Sequence, residues 1–127
     1  MKVGIKNQIK KTVVEELTAK VMGSGRLDVF ATPAMVAMME EAAHTSVEAE
    51  LEEGQDTVGT SMTVSHLAAT PVGMEVTCES ELVEVDGRKL VFEIKAMDEA
   101  GLIGEARHER FIIENEKFLA KTNAKLK

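Results

Sequence analysis

Apolar and polar residues recur with two different periods along this chain, and the change falls at Gly54. From Phe30 to Leu51 no glycine interrupts the run, and its proline is Pro33 near the start. Thr32 reads as an N-cap with Pro33 in the first helical position, where a missing N–H costs nothing. At the helical period Met35, Val36, Met39, Ala43, Ser46 and Val47 gather on one side, with Glu41, Glu48 and Glu52 opposite. The expectation is an amphipathic helix of about 20 residues and about 30 Å. Glu40 stands apart from the other acids, on the flank of the apolar stripe beside Val36, Ala43 and Val47.

Beyond Glu53-Gly54-Gln55-Asp56 the period becomes that of a strand. Between Thr57 and Leu67, alternation sets Val58, Thr60, Met62, Val64 and His66 on one face, with Gly59 and Ser61 on the other. Thr70-Pro71-Val72-Gly73 breaks the run. Met74–Val85 and Lys89–Met97 then form strands about the hairpin signal Val85-Asp86-Gly87-Arg88. Asp98–Gly101 turns again, and Leu102–Ile113 closes the meander. Ile5–Val14 reads as an edge strand, Glu15–Met22 as a short helix ended by Gly23-Ser24-Gly25, and Glu114–Lys127 as a terminal helix. The class implied is α+β, a curved antiparallel sheet wrapped around one long helix. So little chain remains to cover the sheet edges that association through the sheet is expected.

The 127 residues bound this to a single domain, 1–127, with one core. A formal charge of −7 argues against nucleic acid or an anionic membrane as partner. Cys78 is the lone cysteine, so neither an internal disulfide nor a cysteine metal cluster is available. The N-terminal residues lack a signal-peptide run and no stretch reaches membrane-spanning length, so a cytoplasmic location is expected. Trp and Tyr are absent, which removes the usual stacking platforms for bases and sugars. Eight methionines imply an adaptable apolar interior.

His66 shares a strand face with Met62 and Val64, and Glu40 lies at the rim of the helix stripe. A carboxylate and an imidazole directed at one interior could serve acid–base or nucleophilic chemistry. The residues alone equally allow a rim carboxylate reaching solvent and a core histidine bonded to backbone. Thr32 could orient a substrate oxygen instead of only capping the helix, and the Gly59 N–H could serve as an oxyanion donor. His108 and His44 read as structural and surface residues. The acids from Glu48 to Glu53 read as a solvated helix end without metal-ligand spacing.

Together Val29-Phe-Ala-Thr-Pro, Met39-Glu40-x-Ala, Gly59-Thr-x-x-x-Val-x-His66-x-Ala-Ala-Thr-Pro-x-Gly73, Val85-x-Gly-Arg, His108-Glu-Arg110 and Glu116-Lys-Phe-x-Ala-Lys121 resemble the fluoroacetyl-CoA thioesterase-like branch of the hot-dog superfamily. The resemblance runs from Val29 to Lys121 and includes the spacing of Thr32, Glu40 and His66. It implies a hot-dog fold and a homodimer or higher oligomer, with acyl-CoA sites at the subunit boundary. It implies acyl-CoA thioester hydrolysis without a metal or other cofactor, CoA being part of the substrate. By position Thr32, Glu40 and His66 match the family's catalytic residues, Gly59 a glycine near the thioester carbonyl, and Arg110 a substrate-binding position without a settled role. The fluoroacetyl-specific member carries lid phenylalanines before the helix. Here that region is Gly23-Ser24-Gly25-Arg26, so a short- or medium-chain acyl group is expected instead.

The implied chemistry gives His66 the protons of the attacking water and the departing thiolate. Glu40 either attacks the thioester or polarises that water, and Thr32 and the Gly59 amide meet developing negative charge. Thr32 and Glu40 lie about 12 Å apart along a straight helix, which favours a site composed across a dimer. Two other readings keep the pocket, an acyl-CoA-binding or sensing module with little catalysis and a hot-dog enoyl-CoA hydratase.

Overall fold

The structure is a computed structural model and describes residues 1–126. Its strands are β1 (Lys6–Thr12), β2 (Gln55–His66), β3 (Glu75–Asp86), β4 (Lys89–Asp98) and β5 (Gly101–Glu114). They form one antiparallel sheet in the order β1-β3-β4-β5-β2. The helices are α1 (Ala19–Met22), α2 (Thr32–Ser46) and α3 (Asn115–Asn123). The α+β class, the long helix and every strand expected from periodicity are present. The last residue of the expected terminal helix, Lys127, lies outside the described residues. β2 pairs with β5 and not with β3, its successor in the chain, so it forms one edge and β1 the other.

The long helix is shorter than its pattern implied. It ends at Ser46, and Val47 leaves helical geometry at φ −109 and ψ 0 before a single 3₁₀ turn, Glu48–Glu50. The acids from Glu48 onward meet the negative end of the helix dipole, which disfavours further helix there. The buried face is Ala34, Met35, Met38, Met39, Ala42, Ala43 and Val47, rotated from the expected stripe so that Val36 and Ser46 are only half-buried. The methionines pack on the sheet's inner side with Leu82, Leu90, Phe92, Ile94 and Ile103, all essentially inaccessible. Each such side chain contributes about 1.5–3 kcal/mol through burial. Polar ties fix the helix rotation. Asn7 Nδ2 donates to the Ala42 carbonyl (3.0 Å) and to Thr45 Oγ1 (2.9 Å), and Ser80 Oγ donates to the same carbonyl (3.2 Å).

The largest departure from simple alternation is in β2. Gly59 pairs with Arg110 and Ser61 with Glu109, so Thr60 is an extra residue in a bulge. The bulge turns Thr57 and Gly59 to the same inner side as Met62, Val64 and His66, whereas strict alternation had put Gly59 on the opposite face. A Cβ built on Gly59 would lie 2.8 Å from Glu40 Oε2, so the glycine lets the acid lie against the strand. Gly104 does the same opposite His66, where an added Cβ would meet Met35 Sδ at 2.7 Å.

Candidate active site

The chain entering α2 is clamped before the first turn. The Phe30 N–H donates to the Thr70 carbonyl and the Ala31 N–H to the Leu17 carbonyl, both at 2.9 Å. Thr70 is itself inaccessible and its hydroxyl donates to Asp98 Oδ2 at 2.7 Å. These ties place Ala31, not Thr32, at the N-cap, and no side chain caps the helix. The expected cap role of Thr32 is therefore corrected. A residue one step inside the helix cannot turn its hydroxyl back to the free N–H groups, so the hydroxyl is available to another partner.

That partner is His66, whose Nδ1 lies 2.7 Å from Thr32 Oγ1. The other ring nitrogen, Nε2, is buried and has no hydrogen-bond partner among the described residues. Burial lowers the His66 pKa below its ordinary value of 6.5, against an opposing contact with the Ala68 backbone. The imidazole is consequently neutral at neutral pH, the state in which it can take a proton. Ala19, Ser24, Val29, Phe30, Leu67 and other small or apolar residues line a crevice of about 340 Å³ around this pair. A larger concavity of about 1090 Å³ lies over the sheet, lined by charged residues such as Glu79, Glu81, Glu93, Lys95 and Arg107. It contains no nucleophile–base pair, so the smaller crevice is the chemically equipped one.

Glu40 belongs to a second cluster. Its Oε2 accepts from Arg110 Nη1 at 3.2 Å and lies 4.0 Å from His108 Nε2. Arg110 is 7% exposed and spends its other donors on Thr57, from Nε to Oγ1 at 2.8 Å and from Nη2 to the carbonyl at 2.9 Å. Burial lowers the Arg110 pKa and the Glu40 charge opposes the shift, and a guanidinium stays charged under both influences. His108, 1% exposed, has Nδ1 at 2.8 Å from the Ser61 carbonyl and Nε2 at 3.1 Å from Arg110 Nη1. A carbonyl only accepts and a guanidinium only donates, so His108 is the neutral tautomer with its proton on Nδ1. Its pKa is lowered, first by burial and then by the Arg110 charge, with Ser61 and Glu40 opposing.

The predicted residues thus form two groups. Thr32 meets His66, while Glu40, Gly59 and Arg110 meet one another, with Thr57 and His108 joining them. Within one chain Glu40 and His66 do not meet. Their groups are separated by about 12 Å of helix axis and by about 20 Å of β2. Thr57 escaped the sequence reading, and His108, read there as structural, is a buried residue bonded to backbone that also reaches Arg110, two positions along the same strand face. Among the described residues no group of three His, Cys, Asp or Glu could hold a metal ion.

Comparison with known proteins bears on the whole chain. The family described as FlK: Fluoroacetyl-CoA-specific thioesterase matches residues 13–116. The fluoroacetyl-CoA thioesterase of Streptantibioticus cattleyicolor is 44% identical over 98 residues, covering 77% of this chain and 70% of that protein. A solved structure of the fluoroacetyl-CoA thioesterase FlK superposes with a TM-score of 0.94 at 36% identity, covering 100% of this chain and 98% of the other. A Thermus thermophilus protein described as a thioesterase superfamily member gives a TM-score of 0.88 at 29% identity, covering 95% of this chain and 90% of its own.

Proposed function

The chain belongs to the fluoroacetyl-CoA-specific thioesterase family, and from that premise we propose that it hydrolyses acyl-CoA thioesters at a site shared between two copies. The reaction adds water across the thioester, giving a carboxylate and CoA. The single observation that carries the reading is the Thr32–His66 contact of 2.7 Å with His66 Nε2 buried and unpartnered. A neutral imidazole with one nitrogen held and the other free is a poised general base. His66 takes the proton of the attacking water and returns it to the sulfur as the C–S bond breaks. Thr32 and the Gly59 amide meet the negative charge that develops on the carbonyl oxygen, each such donor supplying about 2.7–4 kcal/mol. Glu40 Oε1, left free by the Arg110 bond to Oε2, either polarises the attacking water or itself attacks the carbonyl carbon. That attack expels the CoA thiolate and leaves an acyl anhydride, which the water activated by His66 then hydrolyses.

The composite site follows from strand geometry. β2 is an unpaired edge with Gly59 near one end and His66 at the other. Antiparallel pairing of two β2 edges about an axis at Thr63, with Met62 opposite Val64 and the Thr60 bulge taking up one residue, sets Gly59 of one copy opposite His66 of the other. Glu40 of one copy then lies beside Thr32 and His66 of the second, on the inner side of a continuous sheet. This makes the protein a homodimer at least, with residues 1–127 acting as one domain in the cytoplasm. The small apolar lining of the crevice and the Gly23-Ser24-Gly25-Arg26 segment fit a short- or medium-chain acyl group. No cofactor takes part beyond the CoA of the substrate, and Arg110 acts on the acid rather than directly on the acyl-CoA.

A panel of acyl-CoA esters read by thiol release tests the activity, with release expected for at least one short or medium chain. Tight CoA-ester binding without release would favour a sensing module, and hydration of an enoyl-CoA a hydratase. Mixing Glu40→Ala and His66→Ala copies tests the shared site. Each variant alone is expected to be inactive, and the mixed dimer regains turnover because one of its two sites is intact. Mixed dimers that form and stay inactive would place the whole site in one chain.

A further inference from the structure

We infer that His108 is a positioning residue for Glu40, acting through Arg110. This deepens the reading above and rests on Glu40 serving the reaction. Glu40 is the exposed member of its cluster, with 41% of its side chain accessible, and the polar contacts of its carboxylate come from β5 rather than from its own helix. Confinement comes from Arg110, and the direction of Arg110 comes from its acceptors. Thr57 holds the Nε and Nη2 side of the guanidinium. Nη1 is the nitrogen that reaches Glu40, and its second acceptor is His108 Nε2 at 3.1 Å.

His108 has no freedom to offer anything else. Its Nδ1–H is committed to the Ser61 carbonyl beside the β2 bulge, which leaves Nε2 as an acceptor facing Arg110. The ring lies near Phe92, with centroids 6.3 Å apart, and β2 places Met62 directly across from it. One imidazole therefore joins the bulge that exposes Gly59 to the guanidinium that holds the acid. With His108 gone, Arg110 Nη1 is free to turn and the carboxylate loses its setting against Gly59.

Two amide substitutions separate positioning from packing. In His108→Gln the side-chain oxygen reaches the place of Nε2 and can accept from Arg110. In His108→Asn the amide nitrogen reaches the place of Nδ1 and can donate to Ser61, but the side chain is too short for Arg110. The expected result is that His108→Gln keeps kcat within about threefold of the parent, while His108→Asn and His108→Leu lose about tenfold or more, with KM nearly unchanged in all three. Equal kcat for the two amides, or a loss carried by KM, would overturn the inference. Thermal denaturation of each variant identifies a loss that comes from unfolding, and the amide comparison is read below the lower Tm. Glu40→Ala is measured alongside. If it is inactive while His108→Asn and His108→Leu match the parent, the positioning role alone fails. If Glu40→Ala itself turns over normally, the role assigned to the acid fails and this inference with it.

Discussion

The two ends of β2 are built on opposite principles. At the Gly59 end every polar group of Arg110 and His108 has a partner, and a buried positive charge faces a carboxylate. At the His66 end one hydrogen bond joins two neutral groups, and a buried ring nitrogen is left without a partner. A saturated cluster holds its members in place, whereas an unsatisfied donor or acceptor is an affinity waiting for a ligand. The strand thus runs from an acid of α2, fixed through β5, at one end to a reactive base of its own at the other. Removing groups from the first should disturb fold and activity together, and removing them from the second should disturb activity alone.

The largest effect expected is on the reactive end. His66→Ala removes the base and should lower kcat by about 10²–10⁴-fold. It deletes a buried nitrogen that bonds to nothing in the free chain, which offsets the loss of the Thr32 bond, so Tm should change little. Thiol release and thermal denaturation on one preparation check both statements. A variant that keeps its turnover would break the assignment of the base, and one that loses both fold and turnover would break the contrast between the ends.

Arg110→Met probes the saturated end. It removes bonds to Thr57 Oγ1, the Thr57 carbonyl, His108 and Glu40, and strands acceptors that are largely buried. Hydrogen bonds to charged groups contribute about 1.5–3 kcal/mol each. The Glu40 partner counts for little because it is partly solvated, and methionine recovers some apolar burial, so a net loss of about 2–3 kcal/mol is expected. Denaturant unfolding measures it. A change within experimental error would show that the cluster does not hold this end of the strand.

Much of this contrast was hidden in the sequence, and the reason is local. The helix, the strands and their hairpins follow from periodicity because burial acts on many residues in concert. Thr32, Glu40, Gly59 and His66 could be named from pattern, and Arg110 through the family resemblance alone. The grouping could not be read, because it depends on one inserted residue. Thr60 in the bulge reverses the faces of Thr57 and Gly59 relative to simple alternation, and nothing in its own chemistry announces that. The N-cap moved for a similar reason. Thr32 is a good cap by type, but bonds from Phe30 and Ala31 to distant carbonyls decide where the helix begins.

Thr32 offers a smaller and sharper test. An N-cap threonine replaced by alanine typically costs about 1 kcal/mol. Here Ala31 occupies that position, so Thr32→Ala should change stability by less than about 0.5 kcal/mol while lowering kcat through the loss of the hydroxyl beside His66. Thr32→Ser, which retains the hydroxyl, should retain the larger part of the turnover. A stability loss of full capping size, with kcat intact, would return Thr32 to a structural role.

The smallest expected effect is on pH dependence, where the two histidines share a sign. Both pKa values are lowered in the folded protein, mainly by burial. Between the folded and unfolded values the unfolded chain binds more protons, so stability is fully present above the ordinary histidine value of about 6.5 and falls as pH drops through the lowered values. The acidic limb of kcat/KM should likewise have its midpoint below about 6.5, since His66 acts as a neutral base. The overall charge works the other way for Tm, because an acidic protein loses self-repulsion as pH falls toward its pI of about 5.0. A comparison with His108→Gln separates the two influences. That variant has nearly the parent charge but one buried titrating ring fewer, so its Tm should fall less than the parent's between about pH 7.5 and about pH 5.5. A steeper fall, or a kcat/KM limb centred above the ordinary histidine value, would mean that the rings are charged where the geometry makes them neutral.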